Sequence, residues 1–388
     1  VAAIMKVFKK VSRDQSLTVY MDKRDFVDRC DSVQPVDGVI VVDPQQLRGR
    51  KVYVMLSCTF KYGRQDMDVM GVAFRRDLFV VTRQVYPELQ DKEQLTHTKV
   101  QQRLLQKLGD NAFPFFFEFP DNLPCSVALQ PGPSDVGKKC AVEFEVKGFC
   151  GQNQDDRQDK QSSVRLSIRK VQFSPADSGL VPVAETTFEF FVMSEKPLHV
   201  RLSLARETFY HGEPVPVSLE INNSSSRTVK DISLSVEQVT TVVLYSNDKY
   251  VKSVAKEETS DQVAPGTSLK KDYALYPLLA YNRERRGIAL DGRLRHEDTN
   301  LASSSIVKQE VLKEVQGMLV SYKLVVRMMA CGTIGSSEVS LELPFRLMHP
   351  KPEPAKDSES GDMVFEEFKR AYLKGVVYGD DDESPAEA

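Results

Sequence analysis

Val142-Glu143-Phe144-Glu145-Val146-Lys147 sets an apolar side chain at every second position and a charged one between. A strand with one face on a core and the other in water has this pattern. The period recurs at Val52, Val54, Leu56, Cys58 and Phe60, and at Val215, Val217, Leu219 and Ile221. It returns at Ile232, Leu234 and Val236, and again at Val339, Leu341, Leu343, Phe345 and Leu347. Turn formers separate the runs: Asp37-Gly38, Pro131-Gly132-Pro133, His211-Gly212-Glu213-Pro214 and Asn222-Asn223-Ser224. Many short strands so punctuated predict sheets packed face to face, not strand–helix–strand units.

One helix is expected within this β pattern. From Thr98 to Leu108, Val100, Leu104 and Leu108 fall four apart and Gly109 follows as a stop. Lys99, Arg103 and Lys107 repeat the spacing as a basic stripe.

At 388 residues the chain is too long for one sandwich, and two domains are the natural expectation. Hydrophobic residues at 41% supply two cores. A stretch rich in Pro, Ser and Gly from about Phe173 to Ala184 divides it. The expected organisation is 1–172, a hinge at 173–184, a second domain at 185–348, and a tail at 349–388 after His349-Pro350-Lys351-Pro352. No signal peptide or membrane span is read, and six scattered cysteines predict reduced thiols and a cytoplasmic location.

Net charge is −3, yet residues 353–388 hold 11 acids against 4 bases, which leaves +4 for the body. A basic body with an acidic tail points to self-association or anion binding; a solubilising tail is the plainer reading. Within the tail, Val364, Phe365 and Phe368 have no reason to cluster in a disordered segment, and such clusters dock. No nucleophile elbow, phosphate loop, zinc-protease helix or dinucleotide fingerprint occurs. The five histidines (His97, His199, His211, His296, His349) show no metal-ligand spacing. The expectation is a binding protein, not an enzyme, with no catalytic residues, metal or cofactor and no nucleic-acid partner.

A set of longer segments narrows the class. They are Val7-Phe8-Lys9-Lys10, Lys23-Arg24-Asp25-Phe26-Val27-Asp28, Asn122-Leu123-Pro124-Cys125-Ser126-Val127 and Gly287-Ile288-Ala289-Leu290-Asp291-Gly292. Ser163-Val164-Arg165-Leu166-Ser167-Ile168-Arg169-Lys170-Val171 and His296-Glu297-Asp298-Thr299-Asn300-Leu301-Ala302-Ser303-Ser304 complete the set. Together they resemble the arrestin family, collinearly over nearly the whole chain. Val242-Val243-Leu244-Tyr245-Ser246 and Val364-Phe365-Glu366-Glu367-Phe368 look most like the rod visual branch, with cone arrestin a near alternative.

The resemblance implies an all-β protein of two immunoglobulin-like antiparallel β-sandwich domains, one short amphipathic helix and a flexible C-terminal tail folded back on the first domain. It implies phosphorylation-dependent binding to light-activated rhodopsin or a related opsin in the photoreceptor cytoplasm, inner and outer segments alike. Bound there, the chain would block transducin and end signalling. The alternative is a cone-type or broadly expressed arrestin serving as an endocytic and signalling scaffold. Asp362, Phe365 and Phe368 match a clathrin-adaptor motif, but Tyr372 stands at its final Arg and no clathrin box follows. Weak or absent clathrin and adaptor binding is therefore expected.

By the family pattern, Asp25, Arg169, Asp291, Asp298 and Arg370 form a buried polar core. Lys6, Lys9, Lys10, Arg24, Lys107, Arg165 and Arg295 match a phosphate path. Arg64, Gln65, Asp66, Met67, Asp68, Val69 and Met70 match the receptor-entering finger loop. Val364, Phe365 and Phe368 are expected to clasp Val7, Phe8, Val100, Leu104 and Leu108. Asp22 departs from the family's usual Gly and puts an acid near the phosphate path. The turn from Cys331 to Ser337 looks short for a membrane-touching loop. Phe190, Phe191, Val192 and Met193 are an alternative site of peripheral membrane contact through the receptor.

Overall fold

The computed structural model describes residues 5–64, 74–90, 96–133, 138–191, 194–243, 247–292, 299–349 and 363–367. The first half forms β1 (Met5–Val11), β2 (Leu17–Met21), β3 (Asp25–Asp28), β4 (Val36–Val42), β5 (Lys51–Arg64), β6 (Phe74–Tyr86), β7 (Ala112–Phe117), β8 (Val127–Leu129), β9 (Lys138–Gly151) and β10 (Ser163–Gln172). The second half forms β11 (Val183–Phe188), β12 (Leu198–Leu204), β13 (Thr208–Tyr210), β14 (Val215–Asn223), β15 (Thr228–Val243), β16 (Asn247–Glu258), β17 (Ser268–Leu275), β18 (Ala289–Asp291), β19 (Gly317–Cys331) and β20 (Ser336–Met348). The tail adds β21 (Met363–Glu367). One helical turn, α1 (Pro44–Leu47), and one longer helix, α2 (Lys99–Leu108), interrupt them. No helix among the described residues is long and apolar enough to cross a membrane.

Alternation decides which side chains meet. Val142, Phe144 and Val146 are buried, as their period requires. One sheet runs β21-β1-β2-β4-β7; the other runs β18-β8-β9-β10-β3, with β5 joining β9 to β6. Leu17, Val19 and Ile40 of the first share a buried cluster with Leu56, Phe144 and Leu166 of the second. The other half repeats the plan with sheets β11-β12-β14-β17 and β13-β20-β19-β15-β16.

Among the described strands the expected antiparallel pairing has three parallel exceptions, each joining distant segments: β1 with β21, β3 with β10, and β13 with β20. Two segments also cross the domain division expected from sequence. Ala289–Asp291, expected in the second domain, pairs with β8 of the first, and β21 extends the first sheet. β11 begins at Val183, inside the expected hinge, and Phe173 bridges to His349.

Helix α2 shows how local sequence sets its own ends. Thr98 and Gln101 form a capping box, with Thr98 Oγ1 accepting from Gln101 N at 3.2 Å and Gln101 Oε1 accepting from Thr98 N at 3.1 Å. Gly109, at φ 84°, closes the other end where a side chain would be strained. Leu104 is fully buried against Val7, Val39 and Ala112, so α2 lies on the outer face of the first sheet. In the second half of the chain Phe190 is buried under the Arg227 guanidinium, 4.2 Å from its ring centroid, whereas Phe191 is fully exposed. Val192 and Met193 lie outside the described residues.

Candidate functional site

β10 carries the central charge. Val164, Leu166 and Ile168 turn into the core, which leaves Arg165 and Arg169 on the other face. Parallel pairing sets Arg169 opposite Asp25 of β3. The guanidinium then reaches the carboxylate with both prongs: Nε donates to Oδ1 at 2.8 Å and Nη2 to Oδ2 at 2.7 Å. Its third nitrogen, Nη1, donates to Gly292 O at 2.8 Å. Such forks are the strong form of an ion pair. Arg169 is buried, but the Asp25 side chain is 45% exposed, so the pair is open to solvent on its acidic side. Gly292 has to be small here: a Cβ would stand 2.8 Å from Ser126 Cβ and 3.6 Å from Arg169 Cδ.

Asp291 lies one residue before that carbonyl, at the end of β18. Its Oδ1 accepts from Ser303 N at 2.9 Å, and its Oδ2 accepts from His349 Nε2 at 2.6 Å and from Ser303 Oγ at 3.3 Å. Burial pushes the Asp291 carboxyl up, but the bond from His349, the two histidines and the Ser303 amide outweigh it and hold the pKa below the ordinary value. The family pattern puts Asp291 with Arg169 in one polar core. The structure ties the two through the Gly292 carbonyl and surrounds the Asp291 carboxylate with Ser303, His211 and His349. Asp298, Arg295, Phe368 and Arg370 lie outside the described residues, as do Gln65 to Met70 of the finger loop; Arg64 is described only as the last residue of β5.

The cations of the expected phosphate path divide by strand alternation. Lys10 reaches inward, its Nζ donating to Arg165 O at 2.9 Å, while Lys9 takes the opposite face of β1, shared with Val7. Lys6 Nζ stands 5.5 Å from the Phe8 ring centroid and Arg24 at 5.7 Å. Arg165 Nε donates to Glu145 Oε1 at 3.1 Å. A small cleft between β5, β9 and β10 collects Lys61, Arg75, Glu143, Glu145, Arg165 and Arg169. Its cations are held by carboxylates of the same chain, Lys61 by Glu143 at 3.3 Å and Arg165 by Glu145. An incoming polyanion could exchange with these acids without leaving a buried cation bare.

The tail docks on the same domain. β21 pairs parallel to β1, with Val7 opposite Phe365. Phe365 enters the cluster of Val7, Leu104, Val100 and Leu108, meets the Tyr20 ring edge-on at 5.2 Å, and lies 5.0 Å from Lys107 Nζ. Two residues of the expected clasp need correction. Met363, not Val364, shares the face of Phe365, and Val364 is 49% exposed. Phe8 turns into the sandwich core rather than toward the tail, because its neighbour Val7 already faces α2.

Sequence reading missed the buried Lys170, whose Nζ donates to Asp28 Oδ2 at 2.8 Å and to Leu123 O at 3.2 Å. Its only signal was a charged residue at a position that breaks the alternation of β10. His211, Ser303 and His349 were missed because no spacing links them.

Comparison with known proteins places the whole chain in a family. Residues 17–174 match the family model "Arrestin (or S-antigen), N-terminal domain", and residues 194–352 match "Arrestin (or S-antigen), C-terminal domain". S-arrestin of Xenopus laevis is 56% identical over 382 residues, covering 97% of this chain and 96% of that protein. The S-arrestins of Mus musculus and Homo sapiens are each 54% identical over 376 residues, covering 95% of this chain and 93% and 92% of theirs. With both domains matched and such relatives along nearly its full length, this chain belongs to the arrestin family.

Proposed function

We propose that this chain caps phosphorylated, light-activated rhodopsin or a related opsin, blocks transducin sterically and ends the light signal in the photoreceptor cytoplasm. It acts by binding alone; no reaction is assigned to it. The observation that carries the reading is the Arg169–Asp25 fork at the end of a cation-lined cleft. A phosphorylated side chain carries a charge of about −1.5 to −2 and three strong acceptor oxygens. It competes with the half-exposed Asp25 for a guanidinium that is itself buried. Loss of that fork frees β3 from β10 at their first pairing, beside the segment that bears Gly292. The docked tail is the second restraint, since it occupies the edge of β1.

The similarity to S-arrestins favours the visual reading over the endocytic scaffold, and Tyr372 in the adaptor motif points the same way. The exposed Phe191 and Ile334, the latter 81% exposed, suit peripheral contact with the bilayer around the receptor.

The test is binding to photoreceptor membranes in four states, dark or lit and phosphorylated or not. The wild type should bind only lit, phosphorylated membranes. Arg169→Glu should also bind lit, unphosphorylated ones. Undiminished dependence on phosphate in Arg169→Glu would sink the latch.

A further inference from the structure

Strand β13 runs parallel to the end of β20, with Tyr210 opposite Met348. The next residue on each strand is a histidine. His211 N–H donates to Met348 O at 3.1 Å, and the two imidazole centroids are 4.7 Å apart. Asp291 arrives from β18, which belongs to the other domain's sheet. Its Oδ2 lies 2.6 Å from His349 Nε2 and 3.9 Å from His211 Nε2. One ligand atom from each residue falls within 4.8 Å of the others. The side chains are secluded, at 7% exposure for His211, 8% for Asp291 and 16% for His349. We propose that His211, Asp291 and His349 bind a zinc-class divalent cation at the junction of the two domains.

Two imidazoles and one carboxylate are a donor set suited to zinc. Bonds of about 2.0–2.2 Å in a tetrahedron need donors roughly 3.3 Å apart. The 2.6 Å separation must open and the 3.9 Å one close by less than about 1 Å, and the histidine nitrogens, no more than 4.8 Å apart, close by up to about 1.5 Å, within reach of side-chain rotation. The surroundings already fix the donors. Ser303 N holds Asp291 Oδ1 and leaves Oδ2 turned to the histidines. Phe173 stacks on the His349 ring at 5.3 Å and 26°. Ser303 Oγ, 2.8 Å from His211 Nε2, stands where it can hold a water in the fourth position. Outer partners of this kind orient metal ligands.

The three ligands come from the start of the second domain, from the end of its last strand and from a strand of the first domain's sheet. A cation there would tie these segments together and steady the segment whose next residue, Gly292, accepts from Arg169.

The experiment uses the full chain and Co²⁺ as a coloured probe, with Zn²⁺ as competitor. One equivalent of Co²⁺ should give a visible d–d band without a thiolate charge-transfer band, and Zn²⁺ should abolish it. His211→Gln and His349→Gln should each weaken binding at least about 100-fold, the upper end of what losing an outer partner costs. His97→Gln, at an exposed site, should change nothing. In the unaltered chain, histidine NMR should show two of the five imidazoles shifting on Zn²⁺ addition, a readout that needs no variant. No stoichiometric binding, a thiolate band, undiminished binding in the double variant, or shifts confined to other histidines would each overturn the site.

Discussion

Replacing Phe365 with alanine should release the tail while leaving the two sandwiches folded. The magnitude follows from its contacts. Full burial of a Phe side chain is worth about 3–5 kcal/mol against alanine; Phe365 is half-buried, so about 2 kcal/mol is a fair share. The edge-on contact with Tyr20 adds about 0.5–1 kcal/mol, and Lys107 over its ring adds about 0.5 kcal/mol. The total, about 3 kcal/mol, shifts the balance of docked and released tail roughly 150-fold. Global unfolding should barely move, because β21 lies at the edge of its sheet and opens as a local unit.

Hydrogen exchange reads this directly. Amides of 363–367 and of β1, which pair with each other, should lose protection by about two orders of magnitude in Phe365→Ala. Val364→Ala is the control: its side chain is on the exposed face, and its effect should stay within about 0.5 kcal/mol. Should Phe365→Ala lower protection less than about threefold, or Val364→Ala lower it as much, the assignment of faces on β21 is wrong and the clasp with it.

Two further outcomes concern buried charge. Burial pushes the Asp22 carboxyl up to about 6, with Lys23 pulling it down and Asp37 pushing it up, and its Oδ1 has no hydrogen-bond partner among the described residues. Between 3.8 and about 6 the folded chain therefore holds more protons than the unfolded one, and stability falls as pH rises through that window. Asp22→Asn should flatten this fall and add up to about 3 kcal/mol at pH 7, read from urea midpoints at pH 4 and pH 7; parallel pH profiles would refute it. Lys170→Met should cost about 3–5 kcal/mol, since it strands the buried Asp28, and Asp28→Asn in the same chain should recover part of the loss. A cost under about 1 kcal/mol would mean that the pair is solvated.

The legible features were the local ones. Alternation at Val142 to Lys147 and at Val164 to Ile168 located strands and their inward faces, and Thr98, Gln101 and Gly109 marked the helix ends. The polar core was visible only as a resemblance, because Asp25 and Arg169 meet through parallel pairing of segments 144 residues apart. No periodicity encodes such a meeting. Alternation also fails along β10 itself, where every residue from Ile168 to Gln172 is buried: the outer face there is covered by other segments, so charged Arg169 and Lys170 are enclosed. In the tail the error was one residue of register. Val364 and Phe365 are both apolar, and only the pairing of Val7 with Phe365 reveals which neighbour of Phe365 is outside.

The three parallel pairings coincide with the three devices: tail on β1, Asp25 on β10, and the paired histidines. The proposed function would join the first two. β1 has two edges; β2 fills one and β21 the other, so a receptor segment that adds to β1 must first displace the tail. Its apparent affinity is then reduced by the fraction of chains with the tail released. Lys10, on the same strand, donates to the carbonyl of Arg165, four residues from Arg169 on β10. On the proposed phosphate path, a phosphate drawn to Lys10 would arrive beside Arg165, which lines the cleft that holds Arg169. In the proposed function, phosphate binding and tail displacement would thus act on one strand and its neighbour. Weakening the tail by about 3 kcal/mol should raise the affinity for a phosphorylated segment by as much as the roughly 150-fold lost in docking, and by no more, since the Arg169–Asp25 fork still has to open.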